Sequence, residues 1–134
     1  MPMTHLLPYP ACPVPAGTYP LGAAHPVIAR PPHSAPLAAF AIGQNPVTNA
    51  HYIQFIGADG YQRRELWTEA GWRWQEHKQA EMPPYLVDPQ FNKPDQPVVG
   101  VSWYEAVAFA RWLALETGVP WRLPAEAEWE AAAR

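Results

Sequence analysis

One thiol is present in the 134 residues, that of Cys12, so it alone could act as a thiolate nucleophile or a soft-metal ligand. A soft metal held linearly needs two thiolates, and Cys12 lies in a proline-rich stretch without the electropositive surroundings that make a thiol reactive. It reads as an ordinary free cysteine. The five histidines, His5, His25, His33, His51 and His77, include no pair at helical ligand spacing and no His-Glu-x-x-His. His77 beside Glu76 is the nearest to a suggestive pair, and a solvated histidine is the better reading. Glu126, Glu128 and Glu130 resemble acid/base carboxylates, but at a helix start they are explained by the helix dipole. The tryptophans are the remaining chemistry-bearing set. All seven fall between Trp67 and Trp129, and aromatic rings are the commonest walls of ligand sites. Trp67, Trp72 and Trp74 are the candidate ligand-facing residues, on a loop that could meet a peptide or a small substrate. Trp103, Trp121 and Trp129 sit at element junctions and read as structural. No residue is assigned a catalytic, cofactor or metal role.

Composition narrows the classes further. Ten of the 18 prolines lie at or before Pro36, and no Asp or Glu precedes Asp59. A proline-rich, nearly uncharged entry thus precedes an aromatic-rich body. The net charge is -3 and the longest basic run is Arg63-Arg64, which gives no electrostatic footprint for nucleic acid. No apolar run approaches the roughly 18 residues that cross a bilayer. Without a basic, then apolar, leader the expectation is a soluble, cytoplasmic chain.

The elements that must position these residues follow from local signals. Residues 1–13 read as a loose proline-rich lead-in. Gly17 to Gly22 is an edge-strand candidate, and Leu37 to Ile42 reads as a strand apolar on both faces. Thr48 or Asn49 caps a helix through Tyr52, Phe55 and Ile56 that stops at Gly57. From Gly60 to Asn92 no clean period survives, and the stretch reads as a long loop pinned by Trp67, Trp72 and Trp74. Pro97 to Val101 is a short buried strand. Ser102 and Glu105 form a capping box for a helix that reaches Thr117 and stops at Gly118. Its expected core face is Trp103, Ala106, Val107, Ala110, Leu113 and Ala114, with Phe109 and Trp112 needing a second cover. A last helix begins at Ala125, with Glu130 and Arg134 as an i, i+4 pair, and is marginal unless docked.

The string from Val98 to Ala106 (VVGVSWYEA), Phe109 to Leu113, and Trp121 to Arg134 (WRLPAEAEWEAAAR) resembles the sulfatase-modifying-factor, or formylglycine-generating-enzyme, family. Pro15 to Gly22 is similar to the family's opening strand, and Pro46 to Tyr52 with Phe55 to its first helix. The resemblance covers Val14 to Arg134. It implies an irregular α+β, C-type-lectin-like fold with long loops and buried tryptophans. Gly60 to Tyr85 is similar to bacterial members related to the non-haem-iron sulfoxide synthases of ergothioneine synthesis.

Two departures carry consequences. The family's last helix usually opens with threonine where Ala125 stands, which breaks a capping box and leaves Glu128 without its partner. The family domain also continues past this point, through its calcium-binding residues and, in formylglycine generators, the cysteine pair that holds copper and oxidises a substrate cysteine. The resemblance therefore implies the N-terminal half of a truncated domain. It carries no cofactor of its own where the family uses copper and calcium, or iron. The expected activity is none, with a non-catalytic binding module or part of a sulfoxide-synthase-type protein as the alternative. A peptide or protein is the expected partner class.

Overall fold

The computed structural model describes residues 7–22 and 31–133, so His5, His25 and Arg134, with its pairing to Glu130, lie outside the described residues. The chain divides into two compact units, one built on residues 45–123 with residues 7 and 8, the other on residues 9–44 and 124–134. Together they are mixed α and β with small antiparallel sheets.

The described residues of the second unit form four short strands and one helix. β1 (Ala11–Val14) pairs antiparallel with β4 (Phe40–Gly43), Cys12 opposite Ile42. β2 (Gly17–Leu21) pairs antiparallel with β3 (His33–Leu37), Tyr19 opposite Ala35. Each sheet has two strands, so every strand is an edge and Pro13, Pro20 and Pro36 can leave their missing N–H toward the unpaired side. Two expectations change here. Residues 11–13 belong to a strand and not to a loose lead-in. The apolar run from Leu37 to Ile42 is split at Ala38-Ala39, because its two ends pair with different strands, and Phe40 and Ile42 are only half-buried. α4 (Glu126–Ala133) docks on β2: Glu130 Oε1 accepts from Gly22 N at 2.6 Å, and Leu21 and Ala131 are buried. Glu128 is not without a partner, since its Oε1 accepts from Ala125 N at 2.8 Å, half of a capping box without the threonine.

The first unit is helical. α1 (Asn49–Gly57) starts at Thr48, whose hydroxyl accepts from His51 N, which settles the choice of cap. Asn49 is instead buried, and its amide donates to the carbonyls of Phe91 and Lys93, both at 2.8 Å, tying the following loop to the helix start.

The stretch expected as a loop contains a helix, α2 (Glu69–Lys78), capped by Thr68 through Gly71 N at 2.9 Å. Its buried positions are Gly71 and Gln75, a glycine and an amide one turn apart, so no hydrophobic period marks it. The Gln75 amide donates to the carbonyls of Tyr61 (3.1 Å) and Ala80 (2.7 Å), and its oxygen accepts from Ala80 N.

The expected strand over Pro97 to Val101 is a single bridge, Thr48 with Pro97, beside Val98 N donating to Val47 O at 2.9 Å. Gly100 ends it. Its φ of +74° is a left-handed conformation, and the Tyr85 ring lies where a Cβ would stand.

α3 (Trp103–Thr117) has the full capping box of Ser102 and Glu105 and ends at Gly118. Its buried face differs from the expected arc. Of that arc Ala110 and Leu113 are buried but Trp103 is 62% exposed, and Glu105, Ala108, Phe109 and Trp112 are buried as well. These residues follow the i, i+3, i+4, i+7 spacing of one helical face. Phe109 and Trp112 are therefore the core itself. Tyr52 stacks on Phe109 at 5.6 Å, and Phe55 meets Trp112 edge-on at 5.8 Å. Each fully buried ring of this kind contributes roughly 1.5–3 kcal/mol. Among the described residues Trp112 Nε1 is the buried side-chain polar atom with no acceptor. That costs about 1–3 kcal/mol against the burial of the ring.

The Phe55 ring also lies 2.3 Å from the position a Cβ would take on Gly60, so Gly60 is required by close approach. Gly60→Ala is expected to destabilise the chain by about 1–3 kcal/mol through overpacking. At Gly57 an added Cβ meets nothing within 4 Å. Gly57→Ala is expected to be neutral, or to stabilise by up to about 1 kcal/mol through helix propensity. Urea unfolding of the two variants checks the contrast, and equal losses would be the contrary result.

Candidate functional site

Three rings converge where α2 begins. Trp67 immediately precedes the Thr68 cap and is 5% exposed, and its indole donates to Gly60 O at 2.9 Å. Trp74 stacks on it at 6.2 Å, and Trp72 meets it edge-on at 6.3 Å. Tyr61 lies on its other side at 5.7 Å, and Trp74 continues to Tyr104 at 6.1 Å. The three candidate rings are thus brought together, with different roles. Trp67 is core, Trp74 packs between Trp67 and Tyr104, and Trp72 is half-buried with open space on two sides.

That space comprises two open hollows sharing Trp72 as a wall. One, of about 520 Å³, is lined by Arg64, Glu65, Thr68 and Glu69 with Trp67. The other, of about 510 Å³, is lined by Gln62, Gln79 and the carboxylates of Glu76 and Glu81 among others. Gln79 closes α2 in a left-handed conformation, φ 50°, its N–H on Gln75 O.

Beneath the rings runs a buried polar chain. Tyr61 Oη donates to Glu105 Oε2, and the Tyr52 and Tyr61 hydroxyls are 2.8 Å apart. With the Tyr61 proton committed to the carboxylate, Tyr52 is left to donate to Tyr61. The other oxygen of Glu105 accepts from Ser102 N at 2.8 Å. Burial, then the neighbouring Tyr52 and Glu105, push the Tyr61 phenol far above its ordinary range. Burial does the same to Tyr52. Sequence reasoning found Glu105 only as a helix cap and missed both tyrosines. The available signal was an ionisable cap residue directly ahead of an apolar helix, whose second oxygen needs a donor.

The other sequence candidates do not converge. Cys12 is exposed on β1. His77 and Glu76 are exposed, and His33 Nδ1 lies 2.9 Å from Pro31 O. His51 is structural, with Nδ1 2.7 Å from Thr48 Oγ1 and Nε2 2.8 Å from Pro8 O. Trp129, read as structural, is 61% exposed, like Trp103. Among the described residues no group of three or more His, Cys, Asp or Glu could hold a metal ion. The donors among the described residues do not fit the copper, calcium or iron that the family resemblance implies. Among the described residues no helix is long and apolar enough to cross a membrane.

These features define a mixed α/β scaffold with a capped aromatic core and an open aromatic face. Residues 10–134 match the sulfatase-modifying factor enzyme 1-like domain, and the chain belongs to that family. It is 36% identical to the hercynine oxygenase of Mycolicibacterium thermoresistibile over 113 residues, covering 77% of this chain and 24% of that protein. It is 34% identical to the serine/threonine-protein kinase Pkn1 of Chlamydia trachomatis, covering 77% of this chain and 16% of the kinase. The formylglycine-generating enzyme of Streptomyces coelicolor is 32% identical over 127 residues, covering 78% of this chain and 38% of that enzyme. The chain spans about a quarter of the length of the hercynine oxygenases it matches.

The two raised phenols give a sign for alkaline stability. An unfolded tyrosine ionises near pH 10, while the folded chain holds Tyr52 and Tyr61 neutral. Their contribution is therefore complete below pH ~10 and is lost as pH rises above it, by about 1.4 kcal/mol per pH unit for each phenol. Tyr61→Phe is expected to cost about 1–2 kcal/mol at pH 7 by leaving Glu105 one donor short, and to make stability less steep above pH 10. Denaturant unfolding from pH 7 to 11 measures both, and a variant with an unchanged alkaline slope would contradict the assignment.

Proposed function

We propose that this chain is the scaffold portion of an oxidative modifying enzyme of the family, with a C-type-lectin-like arrangement, and is not itself the reacting centre. The observation that carries this reading is the buried polar chain of Ser102, Glu105, Tyr61 and Tyr52, whose groups bond to one another. Glu105, Tyr61 and Tyr52 spend their side-chain polar groups on one another and on Ser102 N, so these groups are committed to structure. Cys12 has no second thiol to join it in oxidising a substrate cysteine. Similarity to hercynine oxygenases and to formylglycine-generating enzymes supports oxidation as the class of the whole protein, and we propose a peptide or protein as its substrate class.

A second reading, a binding module without chemistry, is favoured by the hollows beside Trp72. It requires the 134 residues to fold cooperatively, which a single thermal transition with dispersed amide signals would report.

The main reading is tested by incubating the chain with copper, oxygen and a Cys-x-Pro-x-Arg peptide, then weighing the peptide by mass spectrometry. Unchanged cysteine is expected. Formylglycine in the product would overturn the proposal.

A further inference from the structure

Trp72 lines both hollows beside it. Arg64 is the one cationic side chain among their linings, against the carboxylates of Glu65, Glu69, Glu76 and Glu81. Glu65 is engaged by Arg63 at 3.3 Å, whereas Glu69, Glu76 and Glu81 form no ion pair among the described residues. Arg73 and Lys78, on the same helix, line neither hollow. Trp72 lies between Glu69 and Glu76 on α2 and lines both hollows. An aromatic wall flanked by unpaired carboxylates suits a cation that carries a flat or apolar stem, as Arg and Lys side chains do.

We propose that this face of α2 docks a basic, extended segment of a partner protein, with two Arg or Lys side chains three residues apart, one on each side of Trp72. The proposal rests on the reading of the Trp72 face as a binding surface and adds the partner's chemistry. Spacing supports it. Glu69 and Glu76 are seven residues apart on one helix, a rise of about 10.5 Å. A polyproline-type segment repeats every three residues, which places side chains i and i+3 on one face about 9.3 Å apart. Each hollow has room for one long side chain, and the Trp72 ring lies between the two stems.

The test uses the full ¹⁵N-labelled chain and a peptide containing Arg-Pro-Pro-Arg, following the indole N–H signal of Trp72, assigned with Trp72→Phe. A saturable shift is expected, weakened about tenfold in the Glu69→Gln/Glu76→Gln double variant and again by added salt. Glu76→Gln/Glu81→Gln leaves the first turn of α2 untouched and is expected to weaken binding to a similar degree. Absence of a saturable shift, or undiminished affinity in both double variants, would overturn the proposal. A matching Glu-Pro-Pro-Glu peptide that moves the same signal would overturn the partner's charge while the binding surface stands. A wild-type chain with no cooperative thermal transition would instead remove the binding-module reading on which the proposal rests.

Discussion

One buried carboxylate holds the helical unit together. Glu105 is 3% exposed, and an ion removed from water to that degree is tolerated only when donors replace the lost hydration. Its two oxygens are shared between two tasks. One accepts from Ser102 N and closes the first turn of α3, and the other accepts from the Tyr61 hydroxyl. Tyr61 in turn receives Tyr52 from α1, so three segments distant in sequence meet at one charge. Because the Tyr52 ring also stacks on Phe109, the polar chain and the aromatic core share a member and fix each other's geometry. The carboxylate thus joins Tyr52 of α1 to the first turn of α3 through Tyr61.

This arrangement separates what was legible in the sequence from what was not. The N-cap of α1, the capping box of α3 and the helix stops depend on residues three or four apart, and those were readable to within a residue. The face of α3 was not, because apolar residues surround nearly the whole helix, so period alone cannot rank the faces. The deciding residue is the polar Glu105, which a hydrophobic count sets outside the core. α2 escaped for the complementary reason: a helix that buries glycine and glutamine carries no apolar stripe. In the β unit the apolar run was visible, but a change of pairing partner within it at Ala38-Ala39 has no local signature.

The tryptophans show how residue type and role part company. Composition marked Trp67, Trp72 and Trp74 as a group, and the structure does bring them together. Their roles follow from which side of α2 each one meets, and that required the helix. Trp67 satisfies its indole on Gly60 O and disappears into the core, while Trp72 borders open space. Conversely, Trp103 stands at the first turn of α3, on the side away from Phe109 and Trp112. A junction position therefore did not make it structural.

Over this stretch the chain is similar, at 32–36% identity, to proteins named as an oxygenase, a protein kinase and a formylglycine-generating enzyme. Identity across so narrow a range does not order those activities, and none of the three is covered beyond 38% of its length. A fold shared among differently named proteins states how a chain packs, whereas chemistry resides in sites placed upon it. In this chain the packing residues are those already bonded to each other, from Ser102 through Glu105 and Tyr61 to Tyr52. The outer side of α2 differs: there the half-buried Trp72 borders Glu69, Glu76 and Glu81, exposed carboxylates that form no ion pair among the described residues. Polar groups spent on one another in the interior hold the fold, whereas exposed carboxylates exchange with water and are the ones a partner's charge could still engage.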